Sequence, residues 1–233
     1  YNPNRPILKD VNLKIGAGDN IGLVGHTGSG KSTIANLITR MYDTISGQIF
    51  IDGVDIKDIK TSCIRKNIAI VSQEIYLFRG TIADNIRYAR PDATMEEVIA
   101  AAKAANAHDF IVRLPEGYET EVGTGSRSLS GGERQRIAIA RALVNNPDII
   151  IADEPTGNID PEMSKAIFEL LMRINKMDKT IIVVTHDHNM VNYYNKRVIK
   201  IENGHIVSDT PAKAAPAPAE PERADKEEEG AEQ

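Results

Sequence analysis

The sequence predicts an α/β fold, a largely parallel sheet flanked by helices and interrupted by a helical insertion. Three observations predict it. Strand-length apolar runs alternate with helical patterns along most of the 233 residues. The first of those runs feeds a glycine-rich segment that opens a helix. Between residues 81 and 144 the texture turns alanine-rich and helix-favouring, with no buried-strand run.

Taken in order, Asn20–Val24 reads as a buried strand entering the glycine segment, and residues 31–42 as the helix after it. Residues 48–52 and 67–71 are further strand candidates. Residues 95–107 carry the strongest helical pattern of the insertion. Residues 148–153 return to strand texture. Residues 160–177 follow as a helix, with Asp160 as N-cap, Pro161 at the first position and Met163, Ile167, Leu170, Leu171 and Ile174 on one face. Thr180–Thr185 is another strand, and residues 197–201 with 205–207 form a hairpin through Asn203-Gly204. The expected organisation is a core of residues 1–73 and 146–209, a helical subdomain over about 74–145, and a tail of 210–233.

The formal net charge of −5 is concentrated in that tail. From Pro211 onward it holds seven acidic and three basic residues, leaving a near-neutral body. Such a body gives no electrostatic case for nucleic acid. The tail is Pro, Ala and Glu with almost nothing to bury, and is expected to be disordered. No apolar run approaches the roughly 18 residues that cross a bilayer, so direct membrane insertion is not expected. The chain opens without a signal-peptide pattern. A single cysteine, Cys63, excludes an internal disulfide framework and fits a reducing cytosol.

Three motifs carry the chemistry. In Gly25-His26-Thr27-Gly28-Ser29-Gly30-Lys31-Ser32-Thr33, the spacing Gly-x4-Gly-Lys-Ser sits between strand and helix, as a phosphate loop requires. Its glycines let backbone N–H groups wrap phosphates, and the helix N-terminus favours their negative charge. Lys31 would reach the β- and γ-phosphates, and the Ser32 hydroxyl would ligate Mg²⁺. His26 sits at a variable position and receives no role. Ile149-Ile150-Ile151-Ala152-Asp153-Glu154 ends an apolar strand in two carboxylates. Asp153 would hold the magnesium through water, and Glu154 would act as general base on the attacking water. Ser130-Gly131-Gly132-Glu133 matches a capping box, with Ser130 as N-cap. Two glycines in a first turn cost about 1 kcal/mol each relative to alanine. A cap alone has no need of them, whereas a phosphate approaching a bare helix end would.

Weaker signals accompany these. Gln73, after a strand and at the change of texture, could meet the metal and the attacking water. His186 follows Thr180–Thr185 and could contact the γ-phosphate, with His188 as competitor. Tyr1 offers an aromatic face for adenine.

With these six elements in this order, residues 1 to about 209 resemble the ATP-binding domain of ABC ATPases. The resemblance implies a P-loop NTPase with a RecA-like parallel core and the inserted helical subdomain of that family. It implies Walker A at 25–32, the Q-loop at Gln73, the signature at 129–135, Walker B at 149–154, the D-loop aspartate at Asp160, the switch histidine at His186 and the A-loop aromatic at Tyr1. It further implies the cofactors ATP and Mg²⁺. Two copies, or this domain and a paralogous one, would pair head to tail, with Ser130 facing the ATP of the other copy. Closure would drive the transmembrane domain of a transporter, placing the chain in the cytoplasm at the inner face of the membrane.

Within that family the two halves differ in texture. Residues 1 to about 142 resemble exporters, in Met41-Tyr42-Asp43, Ile51-Asp52-Gly53 and Leu114-Pro115-Glu116-Gly117-Tyr118 among others. After Walker B, Glu154-Pro155-Thr156-Gly157-Asn158-Ile159-Asp160 is similar to FtsE and to lipoprotein-release and macrolide-efflux ATPases. The coupling loop departs from the exporter pattern at Thr124-Gly125-Ser126. This predicts a mosaic joined within residues 133–146, and the start at Tyr1 suggests an excised domain. An alternative expectation follows, an engineered or mosaic domain that binds ATP with little or no productive hydrolysis.

Overall fold

The structure is a computed structural model that describes residues 6–123, 129–157, 159–187 and 196–212. Tyr1, His188, Asn158, the 124–126 departure and the expected disorder of the tail beyond residue 212 lie outside the described residues.

The chain begins its regular structure with β1 (Asn20–Val24) and α1 (Lys31–Ile38), then the short hairpin β2 (Phe50–Ile51) and β3 (Val54–Asp55). Next come α2 (Thr61–Asn67) and β4 (Ile68–Val71). The insertion holds β5 (Gly80–Thr81), α3 (Ile82–Arg87), α4 (Met95–Ala104), α5 (His108–Ile111), β6 (Glu121–Val122) and α6 (Gly131–Leu143). The chain closes with β7 (Ile149–Asp153), α7 (Pro161–Asn175), β8 (Thr180–Thr185), β9 (Arg197–Glu202) and β10 (His205–Thr210).

Six strands form one sheet in the order β10-β9-β1-β8-β7-β4. The pairs from β9 to β4 are parallel, and β10 is an antiparallel edge. The period-2 alternation of β-strands explains why the central strands are apolar on both faces. Ile150, Ala152, Ile181 and Val183 face one core, shared with the insertion helices and with Ile167, Phe168 and Leu171 of α7. Ile151, Ile182 and Val184 face the other, with Ile34 and Ala35 of α1 and Ile64 of α2.

Local chemistry sets the element ends. α3, α4 and α6 each start with a capping box, from Thr81, Thr94 and Ser130 respectively. α7 starts with the Asp160 side chain accepting from Met163 N at 2.9 Å and Pro161 in the first turn, as expected from sequence. α1 ends four residues before the expected 42. Arg40 takes a left-handed φ of 51°, and Met41 N donates to Asn36 O while Arg40 N donates to Leu37 O. This is a Schellman end without its usual glycine. The Arg40 guanidinium holds it by donating to Ile56 O and Ile59 O. The insertion contains one ladder the sequence pattern does not show, the two-residue pairing of β5 with β6. Among the described residues no helix is long and apolar enough to cross a membrane.

Candidate active site

Parallel strands β1, β8, β7 and β4 lie side by side, so their C-terminal ends share one edge of the sheet. In open α/β sheets that edge is where ligands bind. It carries the loop from Gly25, then Thr185-His186, Asp153-Glu154 and Gln73, one from each strand. Residues far apart in the chain thus become neighbours through strand order alone.

The loop is built for an anion. Gly30 occupies the N-cap of α1 at φ 111° and gives no side-chain cap, in contrast to α3, α4, α6 and α7. The first turn of α1 therefore has no N-cap side-chain oxygen accepting from its amides, the arrangement that suits an anion at a helix start. Lys31 is buried at 6% exposure, and its Nζ donates to Gly25 O at 2.8 Å and His26 O at 3.1 Å. The ammonium is thus folded inside the loop it would serve. Ser29 is buried and its Oγ has no hydrogen-bond partner. Thr27 and Gly28 form the exposed crown, and Thr33 lies part-buried as the third residue of α1. These features fit a bound polyphosphate.

Ser32 Oγ donates to Asp153 Oδ1 at 3.3 Å, joining the loop to the end of β7. Burial raises the Asp153 pKa above its ordinary value, the Glu154 charge adds to this, and the Ser32 hydrogen bond opposes it. A hydroxyl and a carboxylate held together at a phosphate loop form the donor set of a hard cation.

Glu154 takes a left-handed φ of 47°, with its N–H donating to Val184 O at 2.7 Å. A non-glycine residue in that region is strained by about 1–3 kcal/mol and persists only where its surroundings impose it. Here they turn the carboxylate toward β8. Glu154 Oε2 accepts from Thr185 Oγ1 at 3.2 Å and pairs with His186 Nδ1 at 2.9 Å. Gln73 is exposed, and Gly157 permits its close approach, since a Cβ there would stand 2.9 Å from Gln73 Nε2.

Ser130 and Glu133 behave differently. Their bonds close on each other: Ser130 N donates to Glu133 Oε2 at 2.8 Å, and Glu133 N to Ser130 Oγ at 3.2 Å. Gly132 also has a packing reason to be bare, because a Cβ there would meet Met163 Sδ at 2.5 Å. Met163 is the residue whose N–H Asp160 caps. The Ser130 turn and the Asp160 turn thus meet each other through Met163. The structure adds three residues the sequence argument missed. Thr185 donates to Glu154, Gly157 makes room for Gln73, and Met163 joins two helix starts. Thr185 adjoins His186 at a strand end and could have been found; the other two depend on contacts across the fold.

A sequence-family model described as ABC transporter matches residues 8–157. The chain belongs to the ABC transporter family. Its fold is that of an ABC ATPase domain: it superposes on a bacterial Atm1-family ABC exporter solved with ATP bound, at a TM-score of 0.81 and 39% identity, covering 91% of this chain and 37% of that one. In sequence it is 51% identical over 208 residues to the "Putative multidrug export ATP-binding/permease protein" of Staphylococcus aureus strain COL, and 50% identical to that of the bovine strain RF122. Those alignments cover 89% of this chain. The ABC domain here spans 36% of the length of these relatives. A single relative aligned over that share of the chain extends on both sides of residues 133–146. The expected mosaic is therefore unsupported, and the exporter type describes the whole alignment.

Proposed function

We propose that this chain is the ATP-hydrolysing engine of an ABC exporter, working as a head-to-tail pair and coupled to a transmembrane domain. The observation that carries the reading is the Ser32–Asp153 contact at 3.3 Å, which sets a cation's donor pair against the loop that would hold the phosphates. Gly25, Thr27, Gly28, Ser29, Gly30, Lys31, Ser32 and Thr33 would cradle the phosphates, and Tyr1 would stack on adenine. Ser32, Asp153 and Gln73 would hold Mg²⁺, which when bound would neutralise charge on the phosphates.

Water attacks the γ-phosphorus, its proton passes to Glu154, and the bond to the bridging oxygen breaks to give ADP and phosphate. Catalysis rests mainly on positioning and charge stabilisation. His186 orients Glu154 in the resting chain and would turn to the γ-phosphate in the closed one. Ser130, Gly131, Gly132 and Glu133, with Asp160 beside them, would complete the site of the other copy. Homology to ATP-binding/permease proteins supports a membrane partner, and with it a place at the cytoplasmic face.

Mixing tests the shared site. A Lys31→Ala copy and a Ser130→Ala copy each leave both sites of a homodimer damaged. In a mixed pair, one site gathers both lesions and the other is intact. Steady-state ATPase activity of the mixture is expected to exceed the sum of the two variants measured alone. A mixture no more active than that sum, beside an active unmodified chain, would refute the shared site.

A further inference from the structure

Two hairpin turns in this chain have the same backbone. Asp52-Gly53 joins β2 to β3 with φ of 50° and 80°, and Asn203-Gly204 joins β9 to β10 with 49° and 83°. Positive φ at both central residues is the twist-matched turn that favours Asp-Gly and Asn-Gly. Their surroundings differ completely. A Cβ added at Gly53 would meet nothing within 4 Å. One added at Gly204 would collide with the carbonyl oxygen of Ile7 and stand 3.3 Å from Leu8 Cα.

The crowding at Gly204 comes from two main-chain bonds in opposite directions. Lys9 N donates to Gly204 O at 2.9 Å, and Gly204 N donates to Ser29 O at 3.0 Å. The turn therefore joins the segment before β1 to the phosphate loop. Contact continues on both sides. A Cβ on Gly30 would lie 2.6 Å from Leu8 Cδ2, and one on Gly25 would collide with the Ile201 carbonyl of β9. Both ends of the Gly25–Gly30 stretch thus lean on the β9–β10 hairpin and its N-terminal strap.

The consequence follows from peptide planarity. Ser29 C=O and Gly30 N–H belong to one trans peptide unit, so they point in opposite directions. Fixing the carbonyl on Gly204 aims the Gly30 amide away from the hairpin. We propose that Gly204 is a positioning residue for the phosphate loop, setting the direction of the Gly30 amide through its hydrogen bond to Ser29. The inference rests on reading Gly25–Ser32 as the ATP site. Gly204 touches no phosphate itself; its effect runs through the loop.

The matched turns provide the test. Gly204→Ala and Gly53→Ala introduce the same left-handed strain, but only the first adds a collision at the strap. Calorimetric titration with ATP and Mg²⁺ is expected to show affinity weakened on the order of tenfold for Gly204→Ala. Gly53→Ala is expected to bind as the unmodified chain does, although both variants melt earlier. Equal affinity for the unmodified chain and a folded Gly204→Ala would overturn the proposal, as would an equal loss in both variants. Failure of the unmodified chain to bind ATP would instead refute the reading of the loop. Should Gly204→Ala not fold, amide exchange in the unmodified chain decides: ATP should slow the Gly204 and Lys9 amides and leave Gly53 unchanged. Exchange at Gly204 unaffected by saturating ATP would overturn it.

Discussion

Replacing Arg141 with lysine should cost this domain far more than a conservative exchange on a helix surface. Arg141 projects from α6 into the segment that follows Gln73. Its Nε donates to Asn85 O at 2.9 Å, its Nη2 to Asn85 Oδ1 at 2.7 Å, and its Nη1 to Tyr76 O at 3.0 Å. The guanidinium also lies 5.2 Å from the Phe78 ring and 5.9 Å from the Tyr88 ring, which stack with centroids 4.0 Å apart. Burial lowers its pKa, so the charge is held against a desolvation cost. A lysine ammonium is a point charge and cannot span three acceptors set for a planar fork. Two of the three bonds are lost at once. Hydrogen bonds from charged donors contribute about 1.5–3 kcal/mol each, and the Tyr76 bond is discounted because it is exposed, leaving roughly 2–3 kcal/mol. In a domain of this size that corresponds to a melting temperature lower by about 4–12 °C. Thermal unfolding without nucleotide, followed by circular dichroism, measures it. An Arg141→Lys variant that melts within about 2 °C of the unmodified chain would refute the argument that the fork binds α6 to the Gln73 segment.

Two further outcomes follow from the active-site geometry. Glu154→Gln keeps the acceptor for Thr185 but removes the base, so ATP binding should persist, turnover should fall at least about a hundredfold, and an ATP-bound dimer should accumulate on size exclusion. Turnover at the unmodified rate would exclude Glu154 as base. Asp153 has a raised pKa, so the folded chain binds its proton more tightly than the unfolded chain does. The resulting stability is complete below the ordinary carboxylate range and is lost as pH rises through the raised value. Asp153→Asn should therefore raise the neutral-pH melting temperature of the nucleotide-free protein, a gain that disappears in acid. A gain independent of pH would show that charge is not its source.

The sequence makes the strands and the helix starts readable because both are local. β1, β7 and β8 are apolar runs with no polar interruption, and Asp160-Pro161 announces α7 in two residues. The end of α1 is hidden because an arginine, not a glycine, takes the left-handed position, and what holds it there are carbonyls sixteen and nineteen residues away. The β5–β6 ladder is two residues long, too short for alternation to register. In the site, residue types and spacing name Lys31, Ser32, Asp153, Glu154 and His186, yet nothing local says that Glu154 rests on His186. That pairing requires β7 beside β8, which is a property of strand order.

The double glycine after Ser130 shows how a single motif can answer two demands. Read along the chain, Gly131 and Gly132 weaken a helix start and imply a ligand. In the fold, Gly132 is already accounted for by Met163, so its bareness is not by itself a sign of phosphate. A trans role for this turn rests instead on Ser130. A serine hydroxyl has one proton and two lone pairs. The cap uses the oxygen as an acceptor for Glu133 N–H, and that leaves the proton to donate. Capping and phosphate binding therefore draw on different halves of the same group. The helix end can be stable in the single chain and still present a donor to the ATP of another. Met163 gives this a mechanical corollary: a shift at Asp160 moves the Met163 side chain against Gly132, so the two segments expected to face the partner move together.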